Sequence, residues 1–72
     1  MTHQMESRSL PLDEDDLALL AQLASGAQVE VIARRLSVSE RTIRRRTRGI
    51  CERLGVDTTV QAIVWAAHRW LV

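Results

Sequence analysis

The fold of this chain is decided by the stretch Leu36-Ser37-Val38-Ser39-Glu40-Arg41-Thr42-Ile43-Arg44-Arg45-Arg46-Thr47-Arg48. A helix of about 3.6 residues per turn aligns the side chains of Ile43, Thr47, Ile50 and Leu54 on one stripe. Its opposite side carries Arg41, Arg44, Arg45 and Arg48. The stretch therefore predicts a helix with one side for a core and one side for an anion.

Local signals mark both ends of this helix. Ser39 is a good N-cap because its hydroxyl can accept a hydrogen bond from an amide of the first turn. Gly55 is a good stop because glycine adopts the left-handed conformation at least cost. We therefore expect the helix over about residues 40–54.

A shorter helix is expected before it, from about Gln28 to Leu36. Its inner face is the set Val29, Ile32, Ala33 and Leu36. Ala33 allows two helices to cross closely, and Val38 can fill the corner between them. This spacing is that of a helix-turn-helix, whose second helix enters the major groove of DNA.

Two further helices flank this pair. The first begins at Asp13 or the neighbouring acids and ends at Gly26. Its apolar stripe is Leu17, Leu20, Leu23 and Ala24, widened by Leu19. The fourth begins at Thr58 and runs to about Trp70, with an inner stripe of Val60, Ile63, Ala66, Ala67 and Trp70. Because no strand signal is present, we expect an all-α fold of four helices.

The fourth helix has more apolar surface than one small core can bury. A face adjoining its inner stripe carries Gln61, Val64, Trp65, His68 and Leu71. A chain of 72 residues is also near the lower limit for a self-sufficient core. We therefore expect this face to be a homodimer interface.

Composition narrows the class of protein. Residues 1–11 are expected to form a flexible tail and residues 12–72 one domain. The single cysteine excludes an internal disulfide, and Cys51 is expected to be a small buried apolar residue. The histidines have no zinc-ligand spacing, so we expect no metal and no cofactor. No apolar run is long enough to cross a bilayer, so we expect a cytoplasmic, nucleoid-associated protein.

The net charge of +1 conceals an uneven distribution of charge. Residues 34–53 contain eight arginines against Glu40 and Glu52, whereas residues 13–16 are all acidic. This local basic field can attract a polyanion. The acids either cap and solvate the first helix or act as a counter-charge that limits non-specific binding. The use of arginine alone, without lysine, is mainly attributed to GC-rich coding.

The pattern resembles a known family, the LuxR/GerE-type helix-turn-helix domain of bacterial transcription regulators. The residues that carry the resemblance are Gly26, Ile32-Ala33, Leu36, Val38-Ser39, Thr42-Ile43-Arg44, Ile50, Arg53-Leu54-Gly55-Val56 and Ala62. The resemblance covers residue 12 to the C-terminus. It implies a four-helix domain whose third helix lies in the major groove and whose fourth mediates dimerisation. In this family His often stands where this chain has Arg46, and a Thr-Pro-Arg-Glu-like stretch stands where it has four acids.

The resemblance implies roles for Arg44, Arg45, Arg48, Ser39 and Thr42, and the basic charge of the region adds Arg34, Arg35, Arg41 and Arg46. We expect the base readers to be Arg44, Arg45 and Arg48. We expect the phosphate contacts to be Ser39, Arg41, Thr42, Arg34, Arg35 and Arg46. Arg46 is at the edge of the apolar stripe, so its stem should pack there while its guanidinium reaches a phosphate or an acid of the first helix.

Other classes of function fit less well. No catalytic constellation is present, since His3 lies in the expected tail and His68 has no carboxylate on its face, so an enzyme is not expected. Binding of RNA or single strands is disfavoured because Phe and Tyr, which stack on bases, are absent. The main alternative is a protein-interaction module that pairs with a full-length regulator or docks on RNA polymerase.

Overall fold

Four helices make up the computed structural model, which describes residues 11–72. They are α1 (Glu14–Ala24), α2 (Val29–Leu36), α3 (Glu40–Leu54) and α4 (Thr59–His68). This part of the chain contains no strand, and the predicted all-α fold is confirmed. None of its helices has the length and apolar character of a membrane span. The expected tail, with His3, lies outside the described residues except for Pro11.

Side-chain caps begin three of the helices. At α1 the Asp16 amide donates to Asp13 Oδ1 at 2.9 Å, and the Asp13 amide donates to Asp16 Oδ2 at 3.2 Å. Thr58 and Gln61 make the same reciprocal pair at α4. Ser39 caps α3 as expected, because its Oγ accepts from the Thr42 amide. These bonds satisfy amides that have no partner inside the helix.

Three helices end in a common motif. After the helix comes a left-handed residue: Ser37 after α2, Gly55 after α3 and Trp70 after α4. The next residue is apolar and packs against the core: Val38, Val56 and Leu71 respectively. Its amide donates to the carbonyl five residues earlier, at 2.9 or 3.0 Å. This motif satisfies a terminal carbonyl and turns the chain back onto the core.

The core is formed by all four helices. Its largest fully buried side chains are Leu19, Leu20, Ile32, Ile43 and Ile50. Ala33 is buried beside Ile32, as the close crossing of α2 and α3 requires. In α1 the expectation is corrected at two positions, since Leu19 is at the centre of the buried face and Ala24 is exposed. Cys51 is half-buried and packs against the core.

The inner stripe predicted for α4 is correct at two of its five positions, since Ala66 is buried and Ile63 packs against the core, and wrong at the other three. Val60 is 68% exposed, Trp70 is 93% exposed, and Ala67 is also exposed. The buried residues of α4 are Ala62 and Ala66, and the helix ends at His68 instead of Trp70. Small side chains at the contact allow helices to approach closely, and this packing outweighs the burial of larger side chains elsewhere on α4.

Candidate nucleic-acid interface

The basic side of α3 faces solvent because its apolar side is buried in the core. Ile43 and Ile50 are fully buried, so the rotation of α3 about its axis is set by the core. The arginines on the far side are exposed and together line one shallow depression: Arg41, Arg44, Arg45 and Arg48. The structure therefore brings together the arginines that the helical period placed on one side.

One carboxylate enters this cluster. Arg44 Nη2 lies 3.2 Å from Glu40 Oε1, with side chains that are 63% and 48% exposed. Within residues 11–72, Arg41, Arg45 and Arg48 have no carboxylate within 4.0 Å. The depression consequently keeps a strong positive charge, which suits an anionic partner.

Two hydroxyl groups lie at the entry to α3. Ser39 Oγ accepts from the Thr42 amide at 3.1 Å and donates to Thr42 Oγ1 at 3.0 Å. Ser39 is exposed and Thr42 is half-buried. Hydroxyls beside a helix N-terminus can bind phosphate oxygens, as both the amides and the helix dipole favour negative charge there.

The two arginines of α2 differ in their partners. Both Arg34 and Arg35 are exposed. Arg35 Nη1 donates to Gln22 Oε1 of α1 at 2.7 Å, while no acceptor within residues 11–72 binds the Arg34 guanidinium. Arg34 is thus the more available of the pair.

Asp16, an acid in the first turn of α1, forms its ion pair with Arg53 and not with Arg46. Arg53 Nη2 lies 3.1 Å from Asp16 Oδ1, and the Asp16 side chain is only 10% exposed. Arg46 is exposed and makes no ion pair with an acid of α1. Asp16 therefore caps α1 and also joins it to α3. The negative charge of Asp16 therefore offsets the charge of Arg53, which is not one of the arginines of the basic depression.

Sequence reasoning missed this role of Arg53 because Asp16 is 37 residues away. Helical spacing reports which residues share a face of one helix, and it carries no information on which helices meet. The sequence offered one indication of this ion pair, which was the acidic residue Asp16 in the first turn of α1.

The predicted dimer residues do not form one open surface. Gln61 Oε1 accepts from the amides of Asp57 and Thr58 at the start of α4. Trp65 and Leu71 are half-buried against the core. Gln61, Val64 and His68 are exposed.

The Trp65 ring also has a partner within its own chain. Arg69 Cζ lies 4.2 Å from the centroid of the Trp65 ring, in a cation–π contact. The exposed tryptophan is instead Trp70, which was expected in the core.

Residues 11–72 contain no group of three His, Cys, Asp or Glu side chains placed to hold an ion. The chemistry of the basic depression is hydrogen bonding and charge, which is the chemistry of nucleic-acid recognition.

Comparison with known proteins agrees with this geometry. A family model described as bacterial regulatory proteins, luxR family, matches residues 12–66. Neither the curated proteins nor the solved structures give a significant match. The family match spans α1, α2 and α3 and most of α4, including the turn and the basic depression. The chain therefore belongs to the luxR family of bacterial regulatory proteins and carries its DNA-binding helix-turn-helix domain.

Proposed function

We propose that this chain binds double-stranded DNA sequence-specifically and regulates transcription, with α3 as the recognition helix. The observation that supports this most is the single exposed depression formed by Arg41, Arg44, Arg45 and Arg48. It lies on the helix that follows the turn, where a helix-turn-helix meets the major groove. A helix of about 10–12 Å in diameter fits a groove about 12 Å wide.

Three arginines are assigned to the bases. Arg44, Arg45 and Arg48 are proposed to reach base edges, because a guanidinium can pair with guanine O6 and N7 through two parallel hydrogen bonds. Each such pair gives about 1–3 kcal/mol of discrimination. Their exposure and their position around one depression support the assignment.

Phosphate contacts are assigned around this centre. The proposed residues are Ser39, Arg41, Thr42, Arg34, Arg35 and Arg46. With Ser39 Oγ donating to Thr42 Oγ1, the Thr42 hydroxyl proton stays available for a phosphate oxygen. These contacts fix the position of the helix on the duplex without reading its sequence.

Alanine substitution tests the assignment. A duplex is first selected from a random pool by the unaltered chain, and binding is then measured by gel shift across a range of salt. Arg44→Ala, Arg45→Ala and Arg48→Ala should each relax base preference. Arg34→Ala should weaken binding to all duplexes alike and reduce the salt slope by about one unit. The recognition-helix assignment is wrong if all three α3 variants bind the selected duplex like the unaltered chain.

A symmetric homodimer is proposed to double the length of DNA that is read, on an inverted or direct repeat. A single helix contacts only a few base pairs, so two copies are needed for a usable site. The interface is placed on the α4 face of Val64 and His68. Val60 extends this face, since it is exposed and lies four residues before Val64 on the same helix.

The remaining dimer residues, Gln61, Trp65 and Leu71, already bind within their own chain and are assigned to its edge. Val64→Glu should abolish the dimer in analytical ultracentrifugation, whereas Trp65→Glu should also destabilise the fold. An unchanged monomer–dimer equilibrium in folded Val64→Glu excludes this interface.

A second candidate function is that of a protein-interaction module. The 93% exposure of Trp70 favours it, since tryptophan is among the residues that most often anchor protein–protein contacts. The partner would be a full-length regulator or RNA polymerase. Gel shifts on random genomic fragments separate the two candidates: saturable, sequence-selective binding supports the regulator, and its absence supports the module.

A further inference from the structure

Glu40 is the one carboxylate, among the described residues, that is paired with an arginine of the basic depression. It is the first residue of α3, and it lies four positions before Arg44. An acid N-terminal to a base at this spacing is the favourable orientation on a helix. A negative charge at the first position is also stabilised by the helix dipole. The pair is therefore positioned by the helix itself.

The contact uses a small part of the Arg44 guanidinium. One nitrogen, Nη2, donates to Glu40 Oε1 at 3.2 Å. A guanidinium has five N–H groups, so at least four remain for another partner. Glu40 thus restricts the Arg44 side chain while leaving it able to form two parallel bonds to a base.

The charge of Glu40 distinguishes the two kinds of DNA acceptor. A phosphate that binds Arg44 brings its negative charge beside the Glu40 carboxylate and is repelled. The O6 and N7 atoms of guanine belong to a neutral base and meet little of this repulsion. Within residues 11–72, Arg41, Arg45 and Arg48 have no ion-paired carboxylate beside them, so no such repulsion keeps a phosphate from them.

We propose that Glu40 is a specificity-determining positioning residue, which directs Arg44 to a base edge and keeps it off the phosphates. This proposal rests on the function proposed above and deepens it. Glu40 lowers the affinity for DNA of non-selected sequence, where Arg44 would otherwise bind a phosphate, and so raises the ratio of specific to non-specific binding.

The test uses Glu40→Gln in the full chain, with Glu52→Gln as the matched control. Glu52 is also exposed on α3 and makes no ion pair with an arginine of the described residues, so its substitution removes the same charge from the same helix. The probes are the duplex selected by the unaltered chain and a scrambled duplex of equal length and composition. Binding to each is measured across a series of salt concentrations.

For Glu40→Gln, binding to the scrambled duplex should become steeper in salt by about 0.9 units and tighter by up to about eightfold near 0.1 M salt, as expected for one added phosphate contact. Binding to the selected duplex should change little. The ratio of specific to non-specific affinity should then fall by up to about eightfold relative to Glu52→Gln.

Equal ratios and equal salt slopes for the two variants would overturn the role of Glu40 while leaving the recognition helix intact. If the unaltered chain selects no duplex from the random pool, the proposed function fails, and the role of Glu40 fails with it. The two failures are therefore distinguishable.

Discussion

The Arg53–Asp16 ion pair should be a main stabilising link between α1 and α3, and Arg53→Met tests it. The methionine keeps much of the apolar stem and removes the charge. Asp16 is then left with one donor from the described residues, the Asp13 amide at 3.2 Å, on a side chain only 10% exposed. A carboxylate in such a place is poorly compensated by water.

The magnitude follows from the exposure of the two partners. Breaking a fully buried pair costs about 3–5 kcal/mol, whereas an exposed pair contributes about 0–1 kcal/mol. Because the Arg53 side chain is 48% exposed, water replaces part of its contribution. We expect a loss of about 2 kcal/mol in the free energy of unfolding, or a fall of about 8–16 °C in Tm for a domain of this size.

Urea unfolding followed by circular dichroism measures this loss, with Arg44→Met as the control. Arg44 forms the same kind of pair with Glu40, but both side chains are about half exposed or more, so the control should lose less than about 0.5 kcal/mol. In an Asp16→Asn background, Arg53→Met should cost much less than in the unaltered chain. Equal losses for Arg53→Met and Arg44→Met would show that burial of Asp16 adds nothing, and the reasoning would be refuted.

Three further predictions concern the fold. Ile43→Ala should cost about 2–5 kcal/mol because Ile43 is fully buried; a smaller loss in urea unfolding would contradict the packing. Ser37→Gly should stabilise by up to about 1 kcal/mol, since the left-handed conformation costs serine about 1–2 kcal/mol and glycine's extra chain entropy offsets only part of this; Ser37→Ala, the control, should not stabilise. The hydrogen bond from the Asp16 amide holds the pKa of Asp13 below its ordinary 3.8. The contribution of this ionised carboxylate is therefore present above about pH 3.8 and lost as pH falls through the lower folded value, so Asp13→Asn should flatten this acid limb of stability. An NMR titration of Asp13 with an ordinary midpoint would argue against the cap.

The starts of α3 and α4 and the end of α3 were readable in the sequence because they depend on neighbouring residues. Ser39 and Thr58 accept hydrogen bonds from amides three positions later, and Gly55 takes the left-handed conformation that ends α3. These interactions are complete within one turn of chain. Their residues therefore carry the information without reference to the rest of the fold.

The side of α3 that faces water was predictable for a related reason. Its apolar and arginine positions alternate with the helical period, so only one rotation about the axis buries Ile43 and Ile50 and exposes Arg44. The Glu40–Arg44 pair is also local, at a spacing of four residues. Most of the candidate interface is thus a property of one amphipathic helix.

The burial of α4 and the partner of Asp16 were decided by the tertiary structure. Apolar residues surround much of α4, so its periodicity does not select a buried side, and close packing selects Ala62 and Ala66. The pairing of Asp16 with Arg53 exists only because α1 and α3 meet. The sequence by itself determined the presence of four helices, the capped starts of α3 and α4, the end of α3 and the basic side of α3, since these depend on interactions within a few residues. Only the assembled helices decided which α4 side chains remain in water, because that depends on the shapes of the neighbouring surfaces.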